Sequence, residues 1–181
     1  GVSFKGSGSY VPNQILTNQD ISKRVDTSDE WIKSRTGISQ RRISGLEEDV
    51  SQMGYKAALA AIKMTKWDID TIDLIILATS TPNDLFGSAP SIQEKLGANN
   101  AVAFDLTAAC SGFLFAAITA SQFLKTGNYK RAIVIGSDQL SSYVDWNDRR
   151  SCILFGDGAG AIAIEATNEL DNLIGFSMRS D

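Results

Sequence analysis

Apolar positions along this chain follow two alternating rhythms, and their alternation predicts a layered α/β domain. Between Val50 and Met64, the residues Met53, Ala57, Ala60, Ala61 and Met64 recur at helical spacing and predict an amphipathic helix. Leu74-Ile75-Ile76-Leu77-Ala78 has no polar break, so Asp73–Thr79 reads as a strand buried on both faces. Ala101–Phe104 predicts another short strand. Phe113, Ala116, Ala117, Ala120 and Leu124 then return to helical spacing until Gly127-Asn128 stops them. Ser88–Leu96 reads as a helix ending at Gly97, and Arg131–Gly136 as a strand. Nearer the start, Gly1–Ser9 opens with a strand, and Thr17 with Asp20 three residues later can cap a short helix. Thr27 or Ser28 caps a helix through Ser34 that Gly37 closes, and Ile38–Ile43 follows as a strand. After Trp146 the pattern predicts three strands, Cys152–Phe155, Ala159–Glu165 and Leu173–Ser177. A mixed sheet flanked by helices is the simplest architecture.

Composition narrows the function classes. At 181 residues the chain can bury one good core, and 43% hydrophobic with 21% charged residues is typical of globular domains. Seventeen Lys and Arg against 21 Asp and Glu give a net charge of −4, too mild to imply a nucleic-acid partner. The apolar runs are far too short to span a bilayer, and the N-terminal segment lacks the features of a signal peptide. A cytoplasmic location is therefore expected. Cys110 and Cys152 are then expected as free thiols rather than as a disulfide. With no histidine in the chain and the two cysteines well separated, no metal-ligand spacing appears, and no metal is expected.

Candidate chemistry concentrates in Asp105-Leu106-Thr107-Ala108-Ala109-Cys110-Ser111-Gly112. This stretch places a lone thiol between a strand and an apolar helix. A cysteine in the first helical turn faces unpaired N–H groups and the positive end of the dipole, which favour the reactive thiolate. Small neighbours leave room for a carbonyl, so the pattern suggests acyl transfer through a thioester. The plain alternative is a small core residue, since free cysteines are among the most buried types. Cys152, inside an apolar run, reads that way. Gly156-Asp157-Gly158-Ala159-Gly160-Ala161 satisfies a dinucleotide-binding pattern, but that mechanism needs a helix to start there. Here Ala161–Glu165 alternates as a strand would, which argues against a nicotinamide or flavin cofactor. Asp105 and Asp157 are read as groups that hold backbone near strand ends.

The Asp105–Phe113 segment resembles the nucleophile segment of the β-ketoacyl-acyl carrier protein synthase III enzymes, within the thiolase-like condensing-enzyme superfamily. Three further stretches carry the resemblance. The first is Gly6-Ser7-Gly8-Ser9-Tyr10-Val11-Pro12 with Thr17-Asn18. The second is Val25-Asp26-Thr27-Ser28-Asp29-Glu30-Trp31-Ile32 running into Arg35-Thr36-Gly37-Ile38. The third is Asp148-Arg149 with Phe155-Gly156-Asp157-Gly158-Ala159-Gly160-Ala161. By this resemblance, residues 1–181 form the N-terminal half of a duplicated thiolase-like fold and carry Cys110 as the acyl-accepting nucleophile. The C-terminal half, with the family's catalytic histidine and asparagine, is absent from the sequence.

The resemblance implies transfer of an acetyl or short acyl group from coenzyme A to Cys110. Decarboxylative condensation with malonyl-acyl carrier protein follows and starts fatty-acid synthesis. Coenzyme A enters as the thioester substrate, with no resident cofactor. The partners implied are the acyl-coenzyme A, the carrier protein, the missing half and a second copy in a homodimer, with neither nucleic acid nor membrane. Thr27, Trp31, Arg35 and Arg149 match positions lining the coenzyme A entrance. Trp31 and Arg35 stand one helical turn apart, able to offer a flat indole to adenine and a guanidinium to phosphate. Without the family context, a core tryptophan and surface arginines would be read there. Phe86, in the turn-rich loop Pro82–Gly87, matches a residue of the neighbouring subunit's acyl pocket; a loop aromatic folded onto its own core is the other reading. Arg150 replaces the smaller residue often found there, and would either crowd the adenine or add a phosphate contact. Arg35, Arg41, Arg42, Arg149 and Arg150 are candidates for a basic surface that receives the acidic carrier protein. Another thiolase-like synthase and a silent acyl-coenzyme A-binding module are the alternative functions.

Overall fold

The computed structural model describes residues 1–169 and 171–179. Five strands form one mixed sheet in the order β1, β7, β6, β4, β5: β1 (Val2–Tyr10), β4 (Leu74–Ala78), β5 (Val102–Leu106), β6 (Arg131–Gln139) and β7 (Asp157–Ala166). β4 runs parallel to both β5 and β6, while β7 lies antiparallel between β6 and β1. A separate hairpin-like pair, β2 (Gln14–Thr17) and β3 (Gln40–Ile43), encloses two helices, α1 (Asn18–Ser22) and α2 (Asp29–Thr36).

Every residue of β4 is buried, as its unbroken apolar run requires. Ile75 and Leu77 enter the core under α3 (Val50–Thr65) and α4 (Ala89–Leu96). Leu74, Ile76 and Ala78 face α5 (Gly112–Lys125) on the other side. The chain order explains the two layers. It steps outward from β4 to β5, then back across β4 to β6. Crossovers of one hand therefore put α4 and α5 on opposite faces. Close approach is built in at Gly8, where a Cβ would collide with the Ala57 carbonyl, so α3 lies directly on β1.

The predicted caps hold. Thr17 and Asp20 form a reciprocal capping box, and the Ser28 hydroxyl accepts from the Trp31 N–H at the start of α2. Gly37 and Gly97 end their helices in the left-handed region. Three expectations fail. Met64 leaves the buried stripe of α3 and is 63% exposed. Residues 152–155 form no strand: Asp148 accepts from the N–H of Arg150 and from the Ser151 hydroxyl, and its carbonyl from the N–H groups of Ser151 and Cys152, winding consecutive turns. Cys152 and Ile153 instead plug a small core with Ile21 and Ile32, while Leu154 and Phe155 stay exposed. Residues 173–177 form no strand either. Asp171 and Asn172 use side-chain oxygens to take the Val2 and Phe4 N–H groups on the free edge of β1, so no main-chain ladder propagates.

Candidate active site

Cys110 lies just beyond β5 and is exposed. It does not sit in the first turn of the α-helix as expected, but in a 3-10 turn, Ala109–Ser111, that runs directly into α5. Ala109 adopts φ 47°, a left-handed conformation that costs a residue with a Cβ about 1 kcal/mol or more. This kink turns the chain from strand to helix within three residues and leaves the thiol outside. Cys152 is the opposite case. It is buried, and burial first, then Asp148, push its thiol up from the ordinary value. The two cysteines are both free thiols.

Trp31, Arg35 and Arg149 come together although more than a hundred residues separate the last from the others. The guanidinium carbons of Arg35 and Arg149 each stand 4.8 Å from the Trp31 ring centroid. The indole is half-buried, packed against the small core of Ile21, Ile32, Cys152 and Ile153. Core contact and cation contact therefore coexist on one side chain. Arg149 is held by the Asp26 carbonyl, to which its Nη1 donates at 3.0 Å. Next to it in the chain, the buried Thr27 hydroxyl finds no hydrogen-bond partner among the described residues. On α2 itself, Lys33 and then Asn18 hold the Asp29 carboxyl below its ordinary value. Arg150 points to solvent and bonds to the Asp148 carboxylate at 3.2 Å.

Phe86 does not fold onto its own core. It is 92% exposed at the tip of a loop whose two ends are fixed by carboxylates. Asp138 accepts from the Ser80 N–H at 2.7 Å, and Asp105 from the N–H groups of Ser88 and Ala89 at 2.8 and 2.6 Å. Asp105 thus caps α4 from the neighbouring strand, because the Ser88 hydroxyl is engaged by the Asn83 N–H. Leu85, Phe86, Gly87 and residues 105–107 line an open groove of about 480 Å³ beside the segment leading to Cys110. Asp157 is likewise a clamp. Its carboxylate accepts from the N–H and hydroxyl of both Ser44 and Ser141. The glycine-rich run continues as β7, so no helix starts there to receive a pyrophosphate. Among the described residues, no group of three or more His, Cys, Asp or Glu gathers as a metal site.

Sequence reasoning missed two residues. Asn18 and Arg41 are buried and hydrogen-bonded to each other at 2.7 Å; Asn18 stands in the Thr17-Asn18 motif with no role assigned, and apolar periodicity marks neither. Arg41, expected on a basic surface, is only 5% exposed and cannot receive a carrier protein.

The family model described as 3-oxoacyl-acyl-carrier-protein synthase III matches residues 104–181. A β-ketoacyl-acyl-carrier-protein synthase III of Prochlorococcus marinus subsp. pastoris is 88% identical over the whole chain. The chain belongs to the synthase III family. It spans 54% of that relative, about half the length of the curated synthases it matches. The solved 3-oxoacyl-acyl-carrier-protein synthase III from Aquifex aeolicus superposes with a TM-score of 0.90 at 46% identity, covering 93% of this chain and 55% of that one. A priming β-ketosynthase of a polyketide pathway gives the same TM-score at 34% identity, covering 93% and 51%. The thiolase-like α/β fold expected from the motifs is the fold observed.

Proposed function

We propose that this chain is the nucleophile-bearing N-terminal half of a synthase III that primes fatty-acid synthesis in the cytoplasm. The observation that carries the reading is Cys110 itself: an exposed thiol on a strained turn between β5 and α5, in a chain matched end to end by synthase III enzymes. In the first step the Cys110 thiol gives up its proton and its sulfur bonds to the acyl carbon of acetyl- or short acyl-coenzyme A. The thioester bond breaks and coenzyme A leaves as the thiol. The Cys110 N–H, at the head of the turn, supplies one hydrogen bond to the oxyanion. In the second step malonyl-acyl carrier protein loses carbon dioxide, and its carbanion equivalent attacks the acyl carbon. A carbon–carbon bond forms, the bond to sulfur breaks, and Cys110 regains its proton. The remaining donors come from the other half of the protein.

Trp31, Arg35 and Arg149 receive the coenzyme A nucleotide, with the unpartnered Thr27 hydroxyl as a polar contact beside them. The exposed Phe86 tip reaches the acyl pocket of a second copy in a homodimer. The outward side of α5 supports the half-protein reading. Leu114 is 65% exposed and lines, with Phe4, Phe113, Phe115, Phe176 and Met178, a largely apolar groove of about 580 Å³. A module evolved to stand alone would not leave such a face bare. The polyketide priming synthase superposes equally well, so a related condensation with another extender is the second reading. Comparing malonyl-acyl carrier protein with malonyl-coenzyme A as extender separates the two.

The test is transfer from labelled acetyl-coenzyme A to the full-length protein carrying this chain, with the adduct mapped by mass spectrometry. The label is expected on Cys110. Cys110→Ser should abolish transfer while coenzyme A still binds, because the hydroxyl lacks an accessible anion. Transfer by that variant at the wild-type rate would sink the assignment.

A further inference from the structure

Building on the coenzyme A reading of the Trp31 cluster, we propose that Arg41 is a positioning residue that sets the spacing between Trp31 and Arg149. Arg41 lies on β3, is 5% exposed, and forms no ion pair with a carboxylate among the described residues. Its Nε finds no partner there either. An unpaired buried cation is strongly unfavourable, and burial lowers its pKa from the ordinary arginine value. What the site gains in return is a rigid fork with donors in two directions.

One prong, Nη1, donates to Asn18 Oδ1 at 2.7 Å. Asn18 in turn uses its amide nitrogen to hold Asp29 Oδ1 at 2.9 Å and the Ile38 carbonyl at 2.8 Å. Asp29 is the first residue of α2 and Ile38 lies just past its end, so one asparagine grips both ends of the helix that carries Trp31. The other prong, Nη2, donates to the Ile153 carbonyl at 2.6 Å. Ile153 belongs to the wound segment 148–154, whose Arg149 meets the indole. Arg41 therefore joins the two walls of the stack through hydrogen bonds to Asn18 and Ile153. Its stem is fixed as well. A Cβ on Gly156 would meet the Arg41 Cβ at 2.9 Å, so the backbone just before β7 lies directly against it. A lysine is a point donor and can hold only one of the two walls.

The test uses the full-length synthase carrying this chain, with Arg41→Lys and Asn18→Ser. Coenzyme A binding is measured by calorimetry. KM and kcat are measured with acetyl-coenzyme A and with acetyl-pantetheine, which lacks the nucleotide. Arg41→Lys is expected to raise the coenzyme A Kd about tenfold, equivalent to about 1.4 kcal/mol, and KM for acetyl-coenzyme A with it. kcat, and KM for acetyl-pantetheine, are expected to stay unchanged. Asn18→Ser, which releases only the α2 wall, should raise Kd less. An unchanged Kd in folded Arg41→Lys overturns the role, and so do equal losses with both donors, which mark a general structural part. If Arg41→Lys does not fold, an unchanged Kd in Asn18→Ser overturns it. Failure of the wild type to bind coenzyme A overturns the nucleotide reading itself, and this role with it.

Discussion

Two guanidiniums share one indole at Trp31, and each contact at an exposed site is worth about 0.5–1 kcal/mol. Trp31→Ala is expected to weaken coenzyme A binding by roughly 1–3 kcal/mol, measured by calorimetry. An unchanged Kd would return the side chain to a purely structural role in the small core. Trp31 and Arg35 were legible together because helical spacing puts them on one face. Arg149 was legible only by resemblance, since nothing in local sequence brings residue 149 to residue 31. Arg41 was misread for a simple reason: an arginine in the unbroken polar run Ser39-Gln40-Arg41-Arg42 looks exposed until its neighbours are known. The pairing of Cys110 with strain at Ala109 was also invisible, because a left-handed alanine has no sequence signature.

Among the elements, those defined by local rules appear where the sequence puts them. β4, α3, α4 and α5 follow apolar periodicity, and α1 and α2 follow their caps. The errors lie where an apolar run is short: residues 152–155 close turns on the Asp148 and Ser151 carbonyls, and the 171–173 segment uses side chains instead of a ladder. Segment 171–173 shows the physics. The Asp171 carboxylate accepts from the Val2 and Leu173 N–H groups and pairs with Lys125 on α5 at 2.7 Å. Lys125 first, and then the N–H of Val2, lower its pKa from 3.8 to about 2. The folded pKa is depressed, so the contribution to stability is complete above the unfolded value and is lost as pH falls toward about 2. Thermal unfolding followed from pH 5 downward should therefore show a loss in the wild type that Asp171→Asn lacks. Parallel curves for the two proteins would refute the linkage.

Over the whole molecule, the two faces of the sheet are not equivalent. α3 and α4 close one core completely, whereas α5 buries Ala116, Ala120 and Leu124 inward and leaves Leu114 outward with the apolar groove beside it. The 181-residue chain alone is expected to self-associate and to bind an apolar dye, and Leu114→Lys to reduce both, as light scattering and dye fluorescence would show. A monodisperse monomer that ignores the dye would count against a covered face. Sequence by itself determined the α/β class, the helix caps, the fully buried strand β4 and the strand-turn-helix segment that carries Cys110. Each depends on neighbours within a few residues or on a motif read in chain order. Tertiary structure alone decided that Cys110 sits in a 3-10 turn ahead of α5, that Arg35 and Arg149 both stand 4.8 Å from the Trp31 ring centroid, and that Arg41 is interior. It also decided that residues 152–155 and 173–177 are not strands. Those outcomes depend on partners far away in the chain, whose burial and hydrogen bonds outweigh local preference.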